Sequence, residues 1–260
     1  MNSVFVDAFR CEWLKRRRSL GAWLVAVGAF FTPAIITVVR LIRHATLPQL
    51  YADPLFWTLH WRNAWESMAI FFVPMAAILA TSLVVQIEVR NNAWKQVHAL
   101  PLHTATIFFA KFAVILLMLA QFFVLFVLGI YLSALLPALL VGGVAFPPAP
   151  PLRVFLADTA LYYLDCLPIV AAQYLLSLRF NNFLVPIGIG FLAWIAALSA
   201  LSWQYANLVP YAYTMLDFLK DNPDARRAVV SSGMHALAAA WSVLFVAAGY
   251  VGFATKAQKG

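Results

Sequence analysis

The sequence predicts an all-α integral membrane protein of six transmembrane helices, with an interfacial helix at its N-terminus and a short cytoplasmic helix between two of the spans. Three observations predict it. Of the 260 residues, 64% are hydrophobic and 11% charged, against about 45–50% and about 25% in soluble domains. Apolar runs of roughly 20 residues recur along the chain, each long enough to cross a hydrocarbon core ~30 Å thick. The densest positive cluster, Lys15-Arg16-Arg17-Arg18, stands directly before the first such run, which is where an orientation signal for a cytoplasmic N-terminus belongs.

Residues 1–18 form the first unit. Phe5, Phe9 and Trp13 recur at i, i+4 and i+8, which predicts an amphipathic helix lying in the interface with its aromatic side in lipid. Residues 19–260 form the transmembrane domain. Its first span covers about 20–41, with Pro33 inside it as a point of kinking; the run is too long for a signal-peptide core and lacks a clear cleavage site. A polar connection over about 43–62 follows. There Trp57, Trp61 and Trp65, again at i, i+4 and i+8, predict an anchoring belt at the outer interface. The remaining spans fall at about 66–87, 106–136, 154–178, 184–201 and 234–253. Pro137 and the run Pro147-Pro148-Ala149-Pro150-Pro151 predict an outer loop, Asn181-Asn182 a tight inner turn, and residues 202–232 a polar outer stretch containing a short helix. With both termini inside, Lys and Arg favour the cytoplasm only modestly, because Arg40, Arg43, Arg62, Arg153, Lys220, Arg226 and Arg227 fall outside.

Several classes are excluded. The net charge of +8 is not gathered on a polar domain, so no nucleic-acid partner is expected. Cys11 and Cys166 are the only cysteines, too few for a disulfide framework or a metal cluster. The chain contains no G-x-x-x-x-G-K-[ST] loop, H-E-x-x-H pair, G-x-S-x-G elbow or C-x-x-C motif, so no catalytic residue is assigned and no cofactor is expected on the chain itself.

The segment 88–105 is longer and more mixed than a simple connection requires. Trp94, Val97, His98 and Leu100 to Leu102 can form an apolar face, while Glu88, Arg90, Asn91 and Lys95 supply charge and hydrogen bonds; such a helix lies in the interface or inserts into a groove of another protein. Glu12 with the Lys15 cluster, Glu88-x-Arg-Asn-x-x-Trp94, Leu100-Pro101 and Lys111 opening the third span together resemble the permease subunits of ABC-2 type ABC exporters, in particular the lantibiotic and bacitracin immunity group. The resemblance implies an elbow helix (Phe5, Phe9, Glu12, Trp13) and a coupling helix in the loop 88–105 that docks on a separate ATP-binding subunit. Glu88, Arg90, Asn91, Trp94 and Lys95 would touch that subunit, and Leu100-Pro101 would set the return into the membrane. It further implies two ATP-binding subunits that hold ATP and magnesium, and a second permease as homodimer or paralogous heterodimer. The expected protein is thus an exporter subunit of a bacterial cytoplasmic membrane that moves a peptide or amphiphile.

Asp165 lies near the middle of the fourth span, where a carboxylate costs at least ~2.5 kcal/mol, and Asp158 lies seven residues earlier on the same face. With Tyr162 they are candidates for a translocation path between two permeases. They could equally relay protons in a secondary transporter, or Asp165 could be hydrogen-bonded to Tyr or Gln173 and serve packing alone. A non-transporting scaffold or sensor is a further alternative.

Overall fold

A computed structural model describes residues 2–16, 19–90, 102–220 and 233–257. Every regular element among them is helical and none is a strand. Composition demands this, since a backbone amide in hydrocarbon needs an internal partner. Helix α1 covers Asn2–Arg16, α2 Leu20–Ile42, α3 Leu47–Ala52 and α4 Phe56–Ser67. A widened π-type turn, Met68–Phe72, runs on into α5, Val73–Arg90. Then come α6, Thr104–Val141, α7, Leu152–Arg179, α8, Leu184–Ala200, α9, Tyr213–Leu219, and α10, Met234–Ala257.

Among the described residues, five stretches are long and apolar enough to cross a bilayer: Leu20–Ile42, Phe56–Ile87, Thr104–Val141, Leu152–Arg179 and Met234–Thr255. The chain is a multi-pass membrane protein. Helix α8, apolar but only 17 residues long, extends about 26 Å, somewhat short of a ~30 Å core. By the same rise α6, with 38 residues, reaches about 57 Å and runs well beyond any single crossing. The bundle packs chiefly through α7 with α10, α2 with α6 and α5 with α7, while α1 lies on α6.

Three expectations are corrected. The region 43–62 is largely helical: a 3-10 turn at His44–Thr46, then α3, then α4, so the helix that carries the second span begins at Phe56. Its tryptophans are core residues. Trp57, Trp61 and Trp65 are 7%, 7% and 1% exposed; Trp61 stacks on Phe155 at 4.0 Å and Trp65 on Tyr162 at 3.9 Å. A stripe at i, i+4, i+8 has the same spacing whether it faces lipid or another helix, and here long α6 and α7 extend far enough to cover it.

Pro137 does not open a loop either. Helix α6 passes through it and ends at Gly142 and Gly143, whose φ of +69° and +68° suit residues without a Cβ. Proline has no N–H to give the carbonyl four residues back; that carbonyl, Ser133 O, takes a hydrogen bond from Arg40 Nη1 at 3.0 Å instead. Pro74 creates the same need at the π turn. Ile70 O accepts from Trp194 Nε1 of α8 at 2.8 Å, and the adjoining Ala69 O from Thr214 Oγ1 of α9 at 2.9 Å. Those bonds explain the third correction: the stretch after residue 201 contains the expected short helix, α9, but Tyr213, Thr214, Met215 and Leu216 are fully buried in the bundle, while Trp203, Tyr205 and Leu208 stay exposed.

Helices α2 and α6 approach closely where Gly129 meets Pro33. A Cβ on Gly129 would stand 2.8 Å from the Pro33 ring and 3.2 Å from Phe30, a clash that a rigid ring cannot relieve alone. Gly129→Val should therefore lower stability by about 1–3 kcal/mol, read as a drop in Tm of the detergent-solubilised protein. Gly188→Ala on α8, where nothing lies within 4 Å, should leave Tm unchanged or raise it by the gain in helix propensity. Equal behaviour of the two variants would refute the close contact.

Candidate functional site

The end of the bundle that carries α1 also receives the connection between α5 and α6. Glu88 and Arg90 lie in the last turns of α5, and α6 begins at Thr104. Asn91, Trp94, Lys95, Leu100 and Pro101 lie outside the described residues, as do the side chains of Glu88 and Arg90. The structure therefore places both ends of the expected docking loop and leaves its contacts to experiment.

Beside those ends, α1 is fastened to the bundle by charge. The Glu12 carboxylate receives Lys111 Nζ of α6 on Oε2 at 2.6 Å and Lys15 Nζ on Oε1 at 2.5 Å. Lys111 is almost fully buried and Glu12 only 8% exposed. Of the aromatic stripe, Phe9 and Trp13 are half-buried against the core while Phe5 is exposed. They stack on each other with centroids 6.2 Å apart, and Arg16 caps Trp13 at 3.6 Å. The inward group of α1 is thus a carboxylate flanked by aromatics. Burial alone would raise the Glu12 pKa, but Lys111 and then Lys15 outweigh it and hold the carboxyl below its ordinary value.

A second cluster joins α7, α9 and α10. Asp165 is fully buried, and its Oδ1 lies 2.8 Å from Nδ1 of His235. The other ring nitrogen of His235 is 4.0 Å from Asp217 Oδ1, and Asp217 accepts from Lys220 Nζ at 2.8 Å. Lys220 thus sets a positive charge beside Asp217, and the two ring nitrogens of His235 face the two aspartates. Among the described residues the second oxygen of Asp165 has no hydrogen-bond partner, which leaves its desolvation uncompensated by them. His235 is 35% exposed through its side chain, and it links the buried aspartates to the surface.

Asp165 is central in α7, but its partner His235 is the second residue of α10. Tyr163, two residues away, donates to Leu116 O, about 18 Å along α6 from Thr104. The cluster thus sits at the level where α10 starts and α9 packs, central for α7 and terminal for α10. Gln173, one of the packing partners expected from sequence, instead donates to Ser82 Oγ at 2.9 Å and Pro186 O at 2.7 Å. Tyr162 lies flat on Trp65, and Asp158 is half-exposed one helical heptad above. One ligand atom from each of Asp165, Asp217 and His235 falls within 4.8 Å of the others. Such a donor set suits a cation or a proton, although Lys220 already places a positive charge on Asp217. Sequence reading missed His235 and the inward role of Asp217. The available signal was the insertion cost of Asp165, which demands a partner.

The family model described as ABC-2 family transporter protein matches residues 8–197, well over half of the chain, and the chain belongs to that family. The match includes Glu12, Lys111 and Asp165 and stops short of Asp217 and His235. No curated protein matches the chain. The family consists of membrane permease components, which generally work with separate ATP-binding subunits.

Two predictions follow from these clusters. A carboxyl whose pKa is lowered by folding contributes stability that is complete above its unfolded pKa and is lost as pH falls through the folded one. Acidification below the ordinary carboxylate range should thus weaken α1 docking in the native protein. Glu12→Gln should lower stability at neutral pH by about 2 kcal/mol and flatten that acid response, measured as Tm against pH. For the interior cluster, a double-mutant cycle of Asp165→Asn and His235→Ala should give a coupling of about 0.5–3 kcal/mol; strict additivity would show that the pair does not interact.

Proposed function

We propose that this chain is the membrane permease of an ATP-driven exporter that moves a peptide or amphiphilic substrate with force supplied by two separate ATP-binding subunits. ATP and magnesium reside in those partners, and a second permease, identical or paralogous, completes the path. The α1 end faces the cytoplasm of a bacterial cell, with the chain in its cytoplasmic membrane, and the lantibiotic and bacitracin immunity group is the subfamily whose motifs it shares.

The observation that carries this reading is the Glu12–Lys111 clasp beside the start of α6. Lys111 lies seven residues beyond Thr104, so displacement of the segment between α5 and α6 acts at once on α6 and, through Glu12, on α1. A partner that pushes on Glu88, Arg90, Asn91, Trp94 and Lys95 would move the interfacial helix and the longest span together. Leu100-Pro101 would transmit the push by stiffening the return. No step of ATP chemistry involves this chain's own residues; it receives work and reshapes the path.

Copurification in mild detergent tests the partnership. The native chain should carry a stoichiometric ATP-binding subunit, and Trp94→Ala or Glu88→Ala should reduce its recovery at least about tenfold, as expected when a central docking anchor is lost. An intact complex in both variants would refute the docking assignment.

A second reading, proton-coupled transport through Asp165, is favoured by the buried Asp165–His235 contact. In both transport readings Asp165→Asn should abolish export while leaving assembly intact. The two separate on energy source. Transport that persists in proteoliposomes after a proton gradient is collapsed, and stops without ATP, supports the exporter; the opposite result supports the proton-linked carrier.

A further inference from the structure

Arg40 lies 20 residues beyond Leu20 on α2, about 30 Å along the helix and one hydrocarbon thickness from the α1 end. It is 9% exposed. One guanidinium nitrogen donates to Ser133 O at 3.0 Å and another lies 3.1 Å from His60 Nδ1. Because Arg40 can only donate, His60 carries its proton on Nε2, which faces Ile130 O at 3.0 Å; the imidazole is neutral. The guanidinium carbon also stands 5.0 Å from the Phe56 ring and 5.7 Å from that of Tyr51. Every one of these partners is uncharged. Among the described residues no carboxylate pairs with Arg40, and a buried cation without a counterion is costly.

This cation opens onto empty space. A cavity of about 380 Å³ is lined by Arg40, Arg43, His60 and Asn63 on its polar side and by Ile35 and Val39 on its apolar side. Ile35 and Val39 also line a second groove of about 460 Å³, which runs toward the α1 end over Val27, Phe31, Ala34 and Val38 and is apolar throughout. Two arginines at headgroup depth thus stand directly over a groove that descends through the depth of one leaflet's acyl chains.

We propose that this pair of cavities binds one anionic phospholipid from the leaflet opposite the α1 end, its phosphate held by Arg40 and Arg43 and an acyl chain lying along α2. Charge complementarity selects the headgroup, and the continuity of the two cavities selects a lipid over a free anion. Arg40 is pre-positioned by His60 and Ser133, so little ordering is needed on binding, while exposed Arg43 closes on the phosphate. The site needs only that the chain span a bilayer, and it stands or falls apart from any ATP-binding partner.

Native mass spectrometry of the full chain, titrated with phosphatidylglycerol, phosphatidylcholine or inorganic phosphate, tests it. One phosphatidylglycerol should be retained with at least about tenfold preference over phosphatidylcholine, since each basic side chain near a headgroup contributes about fivefold. Arg43→Gln, exposed and outside the packed core, should weaken retention by about that factor. Ala34→Trp, which fills the groove from its open side, should abolish it, and Arg153→Gln at the start of α7 should change nothing. Arg40→Gln should behave at least as severely as Arg43→Gln, read alongside its Tm. Equal retention of the two lipids, wild-type retention by Arg43→Gln and Ala34→Trp, or displacement by inorganic phosphate at equal concentration would each overturn the proposal. So would a dimer that covers α2 and excludes phosphatidylglycerol.

Discussion

A carbonyl oxygen released by proline inside a membrane helix has no water to bind, and the architecture of this chain is organised around meeting that need from elsewhere. Pro137 frees Ser133 O, and Arg40 reaches across from α2 to satisfy it. Pro74 leaves the π turn short of a donor, and Trp194 and Thr214 supply two. Each rescue is a long-range contact between elements far apart in sequence, so prolines that would break isolated helices here become the points at which the bundle is tied together. Helix α9, otherwise a short piece after an irregular stretch, is drawn into the core because its threonine completes this pattern.

The ionic clusters obey the same economy of burial. Glu12 and Lys111 tie the interfacial helix to the longest span, while Asp165, His235, Asp217 and Lys220 tie α7 to α9 and α10. They differ in how completely they are satisfied. The first is a compact pair reinforced by Lys15, suited to transmitting a push without losing its geometry. The second leaves one Asp165 oxygen without a hydrogen bond among the described residues and reaches the surface through His235. Arg40 is a third case, a buried cation held by two hydrogen bonds to uncharged groups.

Membership of the ABC-2 transporter family gives these features a common mechanical frame. Matched residues run from α1 through most of α8, so the clasp at Glu12 and the acid at Asp165 belong to the family portion. The partners of Asp165 lie beyond it. Those partners are carried by α9 and α10, the last two helices described.

Composition and hydropathy by themselves determined that the chain is helical and multi-pass, because the bilayer constrains length and polarity residue by residue. They also marked Asp165 as notable, since a charge inside an apolar run is costly wherever the chain folds, whereas Glu12 and Lys111 stood out only through the family resemblance. Periodicity could not tell which side of a helix faces protein. The Trp57, Trp61 and Trp65 stripe reads identically as a lipid belt or a core seam, and only the reach of α6 and α7 decided for the core. Nor could local rules place Pro137 inside a helix, or 211–217 inside the bundle, because the donors that permit both come from Arg40, Trp194 and Thr214. The pairing of Asp165 with His235, 70 residues away, is likewise a product of packing: sequence showed that the carboxylate needed a partner, and tertiary structure chose it.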